Sequence, residues 1–433
     1  MQKRFATLVT FGLAAGITGL VSAQSPAPAT NPLKGSADLK GEITVFSWAE
    51  ASYSSVLPDF NKLYPNIKVK FATVGYADAY PKITASLAGN VPLADVVMIE
   101  SERVEIYGTR FPNAFTDLTA WGGKFERNFD RSKWTQSVVK GKLITMPTDA
   151  APVGMWYRSD LFEKAGVRPE RIKTWADYLE AGKKIVAANP GVKMSGIDAT
   201  GSETLMRILI QQQGSFYIDA NGKIAVNSPK MVRALSFVKS AWDAGILLNV
   251  QGTDGLIGSI KASRVAAVNL PVWMIGIFKA FAPEQKGKWG VVQVPALTVG
   301  GGQSAYIGGS TLAIPANSPN KDAAWAFVEW YTTYGSKNVL EKRGSWPSFL
   351  PGLQAPVLNA PDSFFATPNV FAPFKQSAFL GRPLKYSSDY DKAAAAVVTA
   401  QASVLTGGQS VKAALDKAAN DLKNQTGREI AGQ

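Results

Sequence analysis

No cysteine and no histidine occur in the 433 residues. The first absence excludes disulfides, thiol nucleophiles and the lipid-carrying cysteine that would follow the export signal of a bacterial lipoprotein. The second removes the commonest general base and the commonest metal ligand. Together they exclude Ser–His–Asp and Cys–His triads, and neither a cofactor nor a metal is expected. Blocks of five or six like charges are missing as well, although the formal net charge is +13. Interspersed charges of this kind read as a solvated basic surface, not a nucleic-acid patch. No second long apolar run follows the one at the N-terminus, so the mature chain is expected to be soluble.

What is present starts with an export pattern. Lys3 and Arg4 precede a largely apolar stretch over 5–20, and Val21-Ser22-Ala23 suits cleavage after a small residue. Residues 1–23 therefore read as a signal peptide, which places the mature protein in the periplasm or outside the cell. Residues 24–40 carry Pro26, Pro28 and Pro32 among Ser, Ala and Thr. That composition buries too little apolar surface to offset the entropy of ordering, and reads as a flexible tether. The remainder, about 390 residues, exceeds what one core holds, and two lobes are the natural division.

Residues 42–48 read as a buried strand, 54–63 as a helix, 67–74 as a strand alternating at period two, 80–88 as a helix and 94–99 as a third strand. That order predicts a parallel sheet covered by helices. Thr174 with Asp177 predicts a capped helix start running to about 189. Further helices are expected over 202–213, 228–244, 320–334, 389–405 and 410–424, and strands over 265–270 and 289–294.

The most specific stretch is PTDAAPVGMWYRSDLFEKAG at 147–166. Its Tyr157-Arg158-Ser159-Asp160-Leu161-Phe162 resembles the "YNKDLF" segment that follows the inter-lobe crossover of bacterial extracellular solute-binding proteins, family 1, the capture subunits of ABC importers. Five more features match in order. They are the strand ending Phe46-Ser47-Trp48, Leu87-Ala88-Gly89 with Ala94-Asp95-Val96-Val97, Asp117-Leu118-Thr119, the segment 141–147 reading GKLITMP, and the return segment from Ile307 with the helix after it. The resemblance covers nearly all of the mature chain and extends to maltodextrin-binding proteins. It implies an α/β fold, the two-lobed type II periplasmic-binding-protein fold, with hinged lobes around a ligand cleft. The first lobe takes 41–148 plus 308–343, and the second takes 149–307 plus 344–433. It also implies a monomer that captures a sugar and hands it to the transmembrane permease subunits of an ABC transporter, without catalysis.

Aromatic supply supports the sugar, since 11 tryptophans are present and a sugar ring offers apolar faces with a rim of hydroxyls. The resemblance places Trp48, Trp273 and Trp346 as stacking faces, with Arg343 beside the last. It places Glu100, Ser101, Asp149 and Ser202 on the polar rim, and Gly309 and Ser310 where the backbone approaches the ligand. Helix capping competes for Ser101 and Ser202, and Glu203 shares that helix start. Tyr53 and Tyr157 are weaker candidates; Trp325 and Trp330 read as core. Another small solute (a uronate, a polyol or a polyamine) is the alternative cargo. An exported glycoside hydrolase is the lesser reading, because nothing in the sequence pairs two carboxylates.

Overall fold

A computed structural model describes residues 35–380 and 384–432. The signal peptide and most of the tether lie outside the described residues. The tether's last residues pack against the fold: Leu39 rests on the core, and Asn66 Nδ2 donates to the Ala37 carbonyl at 2.7 Å.

Twelve strands are described: β1 Gly41–Ser47, β2 Ile67–Thr73, β3 Val96–Glu100, β4 Val138–Val139, β5 Lys142–Leu143, β6 Met146–Pro147, β7 Val153–Arg158, β8 Ser195–Ile197, β9 Leu247–Asn249, β10 Ala267–Pro271, β11 Trp289–Gln293 and β12 Ser310–Ala313. A five-stranded sheet runs β2-β1-β3-β12-β6. Its first three strands are parallel, as the sequence predicts. The fourth, β12, is antiparallel to β3, pairing Ser310 with Glu100. It enters at the edge where β3 ends and so runs the other way. Side chains alternate across this sheet with period two. Val45, Val96, Met98 and Leu312 join Phe60, Phe327 and Trp330 on one face. Phe46, Val97, Ile99 and Ala313 join Ile83 and Tyr107 on the other. Both faces are covered, which is why these strands read as continuous apolar runs.

The second sheet, for which the sequence predicts strands but no direction, is built differently. β10-β7-β11 is three-stranded, and both pairings are antiparallel; β8 and β9 form a separate parallel pair. Val153 and Met155 face one apolar cluster, and Trp156 faces another built on Phe278, Trp289, Phe365 and Phe374. Trp156 is fully buried, its indole N–H donating to the Leu270 carbonyl at 3.0 Å. The helix expected over 54–63 is two short ones, Glu50–Ser54 and Leu57–Leu63, the second with Pro58 in its first turn. The capping box at Thr174 is present with both reciprocal bonds, and its helix spans Trp175–Ala188.

Three segments cross between the two sheets and bond to one another. Thr148 N donates to Ser310 O at 2.9 Å, Ala150 N to Trp346 O at 2.8 Å, and Ser348 N to Thr148 O at 3.1 Å. Phe349, beyond the last crossing, returns to the first sheet's core against Phe125 and Phe129.

Candidate functional site

The carboxyl ends of β1 and β3 meet the start of the Tyr76–Gly89 helix, the place where open α/β sheets bind ligands. Trp48, just past β1, is half-buried. Its ring lies 5.6 Å from both Tyr76 and Tyr80. The two tyrosines are four residues apart and so share a helix face; their rings stand edge to face at 5.9 Å. Both hydroxyls donate to Glu100 Oε2, at 2.9 and 2.6 Å. The Arg103 guanidinium lies 3.9 Å above the Tyr80 ring. The result is an aromatic corner with a carboxylate at its base and a cation over its edge.

Glu100 is half-buried, and its surroundings set its charge. Desolvation among the aromatic rings, helped by the negative charge of Glu102, pushes its carboxyl up from 4.5 to about 7 against the two tyrosine donors. The sign follows directly. The fold prefers the protonated form, so this contribution to stability is complete below about pH 4.5 and is lost as pH rises through about 7. Glu100→Gln removes it. Melting curves from pH 4.5 to 8.5 should show the variant gaining on the parent as pH rises; a variant that loses ground on the parent over that range would contradict this.

The second sheet's side of the site comes from the Thr204–Gln212 and Tyr390–Leu405 helices. Arg207 Nη1 donates to Glu102 Oε1 at 2.9 Å, across the two lobes, and to Tyr390 Oη at 2.6 Å. Tyr390 Oη donates to Glu203 Oε1 at 3.0 Å, and Glu203 stands 3.7 Å from Arg207 Nε. These side chains are buried. Burial works against the Arg207 charge, and the surrounding Tyr390, Glu102 and Glu203 hold it protonated. At the neighbouring residues Arg103 meets Asp391 at 2.6 Å, and further along Lys385 approaches Glu105 at 3.6 Å. Phe216, Tyr217, Tyr386 and Tyr390 stack behind this seam.

Along the seam, several buried polar atoms have no hydrogen-bond partner. They include Ser101 Oγ, Glu102 Oε2, Arg103 Nε, Arg207 Nε and Tyr217 Oη. Each such atom costs about 1–3 kcal/mol. Their concentration where two lobes meet marks a surface suited to a polar ligand.

The structure brings only some of the expected residues here. Trp48, Glu100 and Ser101 lie in or beside the aromatic corner. Ser101 is the first residue of the Ser101–Arg110 helix, with Glu100 at the cap position and no side-chain cap bond, so the capping role expected of Ser101 is not made. Ser202 precedes a helix that starts at Thr204, bonds the Thr204 hydroxyl at 2.8 Å, and gives its carbonyl to Gln401. Asp149 is turned into the hinge: its Oδ1 accepts from Thr148 Oγ1 at 2.8 Å and from Ser310 N at 2.9 Å. Gly309 has φ +99°, and the groups close to it are Lys133 and the Asp149 carbonyl. Trp273 is half-buried at the start of the Met274–Phe281 helix, against the second lobe's core. Trp346 is 3 % exposed, a core residue facing Phe371, not an open stacking face. Arg343 is exposed at the end of its helix. Tyr53 is core, against Phe71, Phe327 and Tyr331.

Tyr76, Tyr80, Glu102, Arg103, Arg207, Tyr390 and Asp391 were not singled out from the sequence. A Tyr-x-x-x-Tyr spacing at a helix start was the available signal for the first two. Nothing local in the sequence signals the meeting of Glu102 with Arg207, 105 residues apart.

Among the described residues, no cluster of His, Cys, Asp or Glu fits a metal ion, and no helix is long and apolar enough to cross a membrane. The sequence profile of the family described as "bacterial extracellular solute-binding protein" matches residues 47–338. The arabinooligosaccharide-binding protein of Bacillus subtilis is 30 % identical over 301 residues, 66 % of this chain and 69 % of that protein. The lactose-binding protein of Rhizobium radiobacter is 28 % identical, over 77 % and 81 % of the two chains. Among solved structures, the GacH receptor of Streptomyces glaucescens superposes with a TM-score of 0.77 at 20 % identity, over 90 % of this chain and all of that one. The binding protein of B. animalis subsp. lactis in complex with beta-1,6-galactobiose gives 0.77 at 24 %, over 90 % and 99 %.

Proposed function

We infer, from a chain that belongs to the bacterial extracellular solute-binding protein family and has its two-lobed type II α/β fold, that this protein captures a sugar or oligosaccharide between its lobes and delivers it to an ABC permease. The observation that carries the reading is the aromatic corner of Trp48, Tyr76 and Tyr80 over Glu100, facing the seam of Glu102, Arg207 and Tyr390. Indole and phenol rings cover the apolar faces of a sugar, while carboxylates, tyrosine hydroxyls and guanidiniums take its hydroxyls. The relatives named for arabinooligosaccharide and lactose support a carbohydrate cargo.

The lobes are taken as 41–148 with 308–343, and 149–307 with 344–433. Opening at the hinge admits the sugar, and closure selects the bound state through contacts to both lobes. The permease reads the closed shape. The protein acts as a monomer outside the cytoplasm after its signal peptide is removed, and returns its cargo chemically unchanged. The carboxylates of the seam are engaged by Arg207, Arg103 and tyrosine hydroxyls, an arrangement for recognition and not for glycosidic cleavage. Ser101, Ser202, Trp273, Gly309, Ser310, Arg343, Trp346 and Asp149 remain proposed contacts or supports of the same cleft.

Trp48→Ala should weaken sugar binding at least tenfold, read by calorimetry, with an unchanged circular dichroism spectrum. Trp273→Ala is the parallel test from the second lobe and should do the same. An unchanged affinity would remove the substituted residue from the site, and unchanged affinity in both would leave the aromatic account of binding without support.

A further inference from the structure

Resting on the reading that the seam takes a sugar, we propose that it selects its cargo by charge sign, admitting uncharged oligosaccharides and rejecting uronates. Five carboxylates line it, Glu100, Glu102, Glu105, Glu203 and Asp391, against three cations, Arg103, Arg207 and Lys385. With the lobes closed all three cations are committed, Lys385 to Glu105. Arg103 is paired with Asp391, and Arg207 with Glu102 and Glu203. The nearby Lys133 is committed too, its Nζ donating to the Gly308 carbonyl at 2.7 Å and to Gln136 at 3.2 Å.

A carboxylate on the ligand would therefore have to draw Arg103 or Arg207 away from a protein carboxylate. That would leave a buried negative charge uncompensated, a costly outcome. A hydroxyl makes no such demand. It donates to Glu102 Oε2 and accepts from Arg103 Nε, neither of which has a hydrogen-bond partner. Glu100 adds to the discrimination, because its bonded partners are the neutral hydroxyls of Tyr76 and Tyr80. The overall charge of +13 points the other way. That charge is spread over the surface, however, and is screened beyond about 10 Å in ordinary salt, so the local sign decides.

The test is competitive equilibrium dialysis of the full chain at pH 7.5. The probe is a pool of neutral oligosaccharides from galactan, arabinan and starch. It is mixed in equal amount with the same pool after oxidation of its primary hydroxyls to carboxylates. Retained sugars are counted by mass. The expected result is at least tenfold enrichment of the neutral form, falling at least threefold in Glu203→Gln, with folding checked by circular dichroism and Glu100→Gln as the second variant. A ratio near or below one would overturn the proposal while leaving sugar capture standing. An undiminished ratio in both folded variants would overturn its electrostatic origin. Retention of neither pool would instead overturn the sugar reading beneath it.

Discussion

Arg207→Ala loses about 3–5 kcal/mol of stability, the cost of leaving a buried partner charge uncompensated. Glu102 and Glu203 would both lose their cation, and Tyr390 would lose the donor to its hydroxyl. Urea denaturation should show the lower midpoint, and sugar affinity should fall with it. The double variant Glu102→Gln with Arg207→Met gives the sharper reading. It neutralises one of the two carboxylates stranded by Arg207→Ala, so it should recover part of the stability lost by that change alone, Glu203 still lacking its cation. A double variant no more stable than the single one would mean that the pair does not act as a unit. The same ion pair joins the two lobes, so it also sets how readily the empty protein opens.

The second large effect is at the hinge. Gly309→Ala should destabilise by about 3 kcal/mol, combining backbone strain with overpacking. The residue sits at φ +99°, and an added methyl would stand 2.6 Å from Lys133 Nζ and 2.8 Å from the Asp149 carbonyl. Neither neighbour can yield cheaply. The lysine is buried and already bonded to the Gly308 carbonyl, and the Asp149 backbone belongs to another crossing segment. Gly308→Ala is the internal control. It shares a positive φ, +83°, but has nothing within 4 Å of the new methyl, so it should cost only about 1 kcal/mol of strain. Equal losses at the two positions, measured as urea midpoints, would show that crowding against Lys133 is not the cause.

Much of this arrangement was legible in the chain, and the part that was not has a common origin. The strand–helix alternation over 41–100 predicts the parallel half of the first sheet, because strands covered on both faces show as apolar runs. The Thr174–Asp177 box is a local hydrogen-bond pattern, and local patterns are readable. Strand direction in the second lobe was not, since β7 and β10 pair across more than a hundred intervening residues. The same limit governs the site. Trp48 and Glu100 end strands, a position visible in sequence. Trp346 lies in a crossing segment, yet the chain closes over it, and its place in the sequence carries no information about that. Asp149 has the chemistry of a hydroxyl acceptor but spends it on Thr148 and the Ser310 amide. Glu102 and Arg207 acquire meaning only when two lobes meet.

Native mass spectrometry of the purified chain, after incubation with a mixed pool of neutral oligosaccharides, tests sugar capture most directly. The account predicts a one-to-one adduct that saturates, needs at least tenfold more sugar in Trp48→Ala, and releases its sugar at unchanged mass. No adduct with any oligosaccharide, or release of shortened fragments, would contradict it.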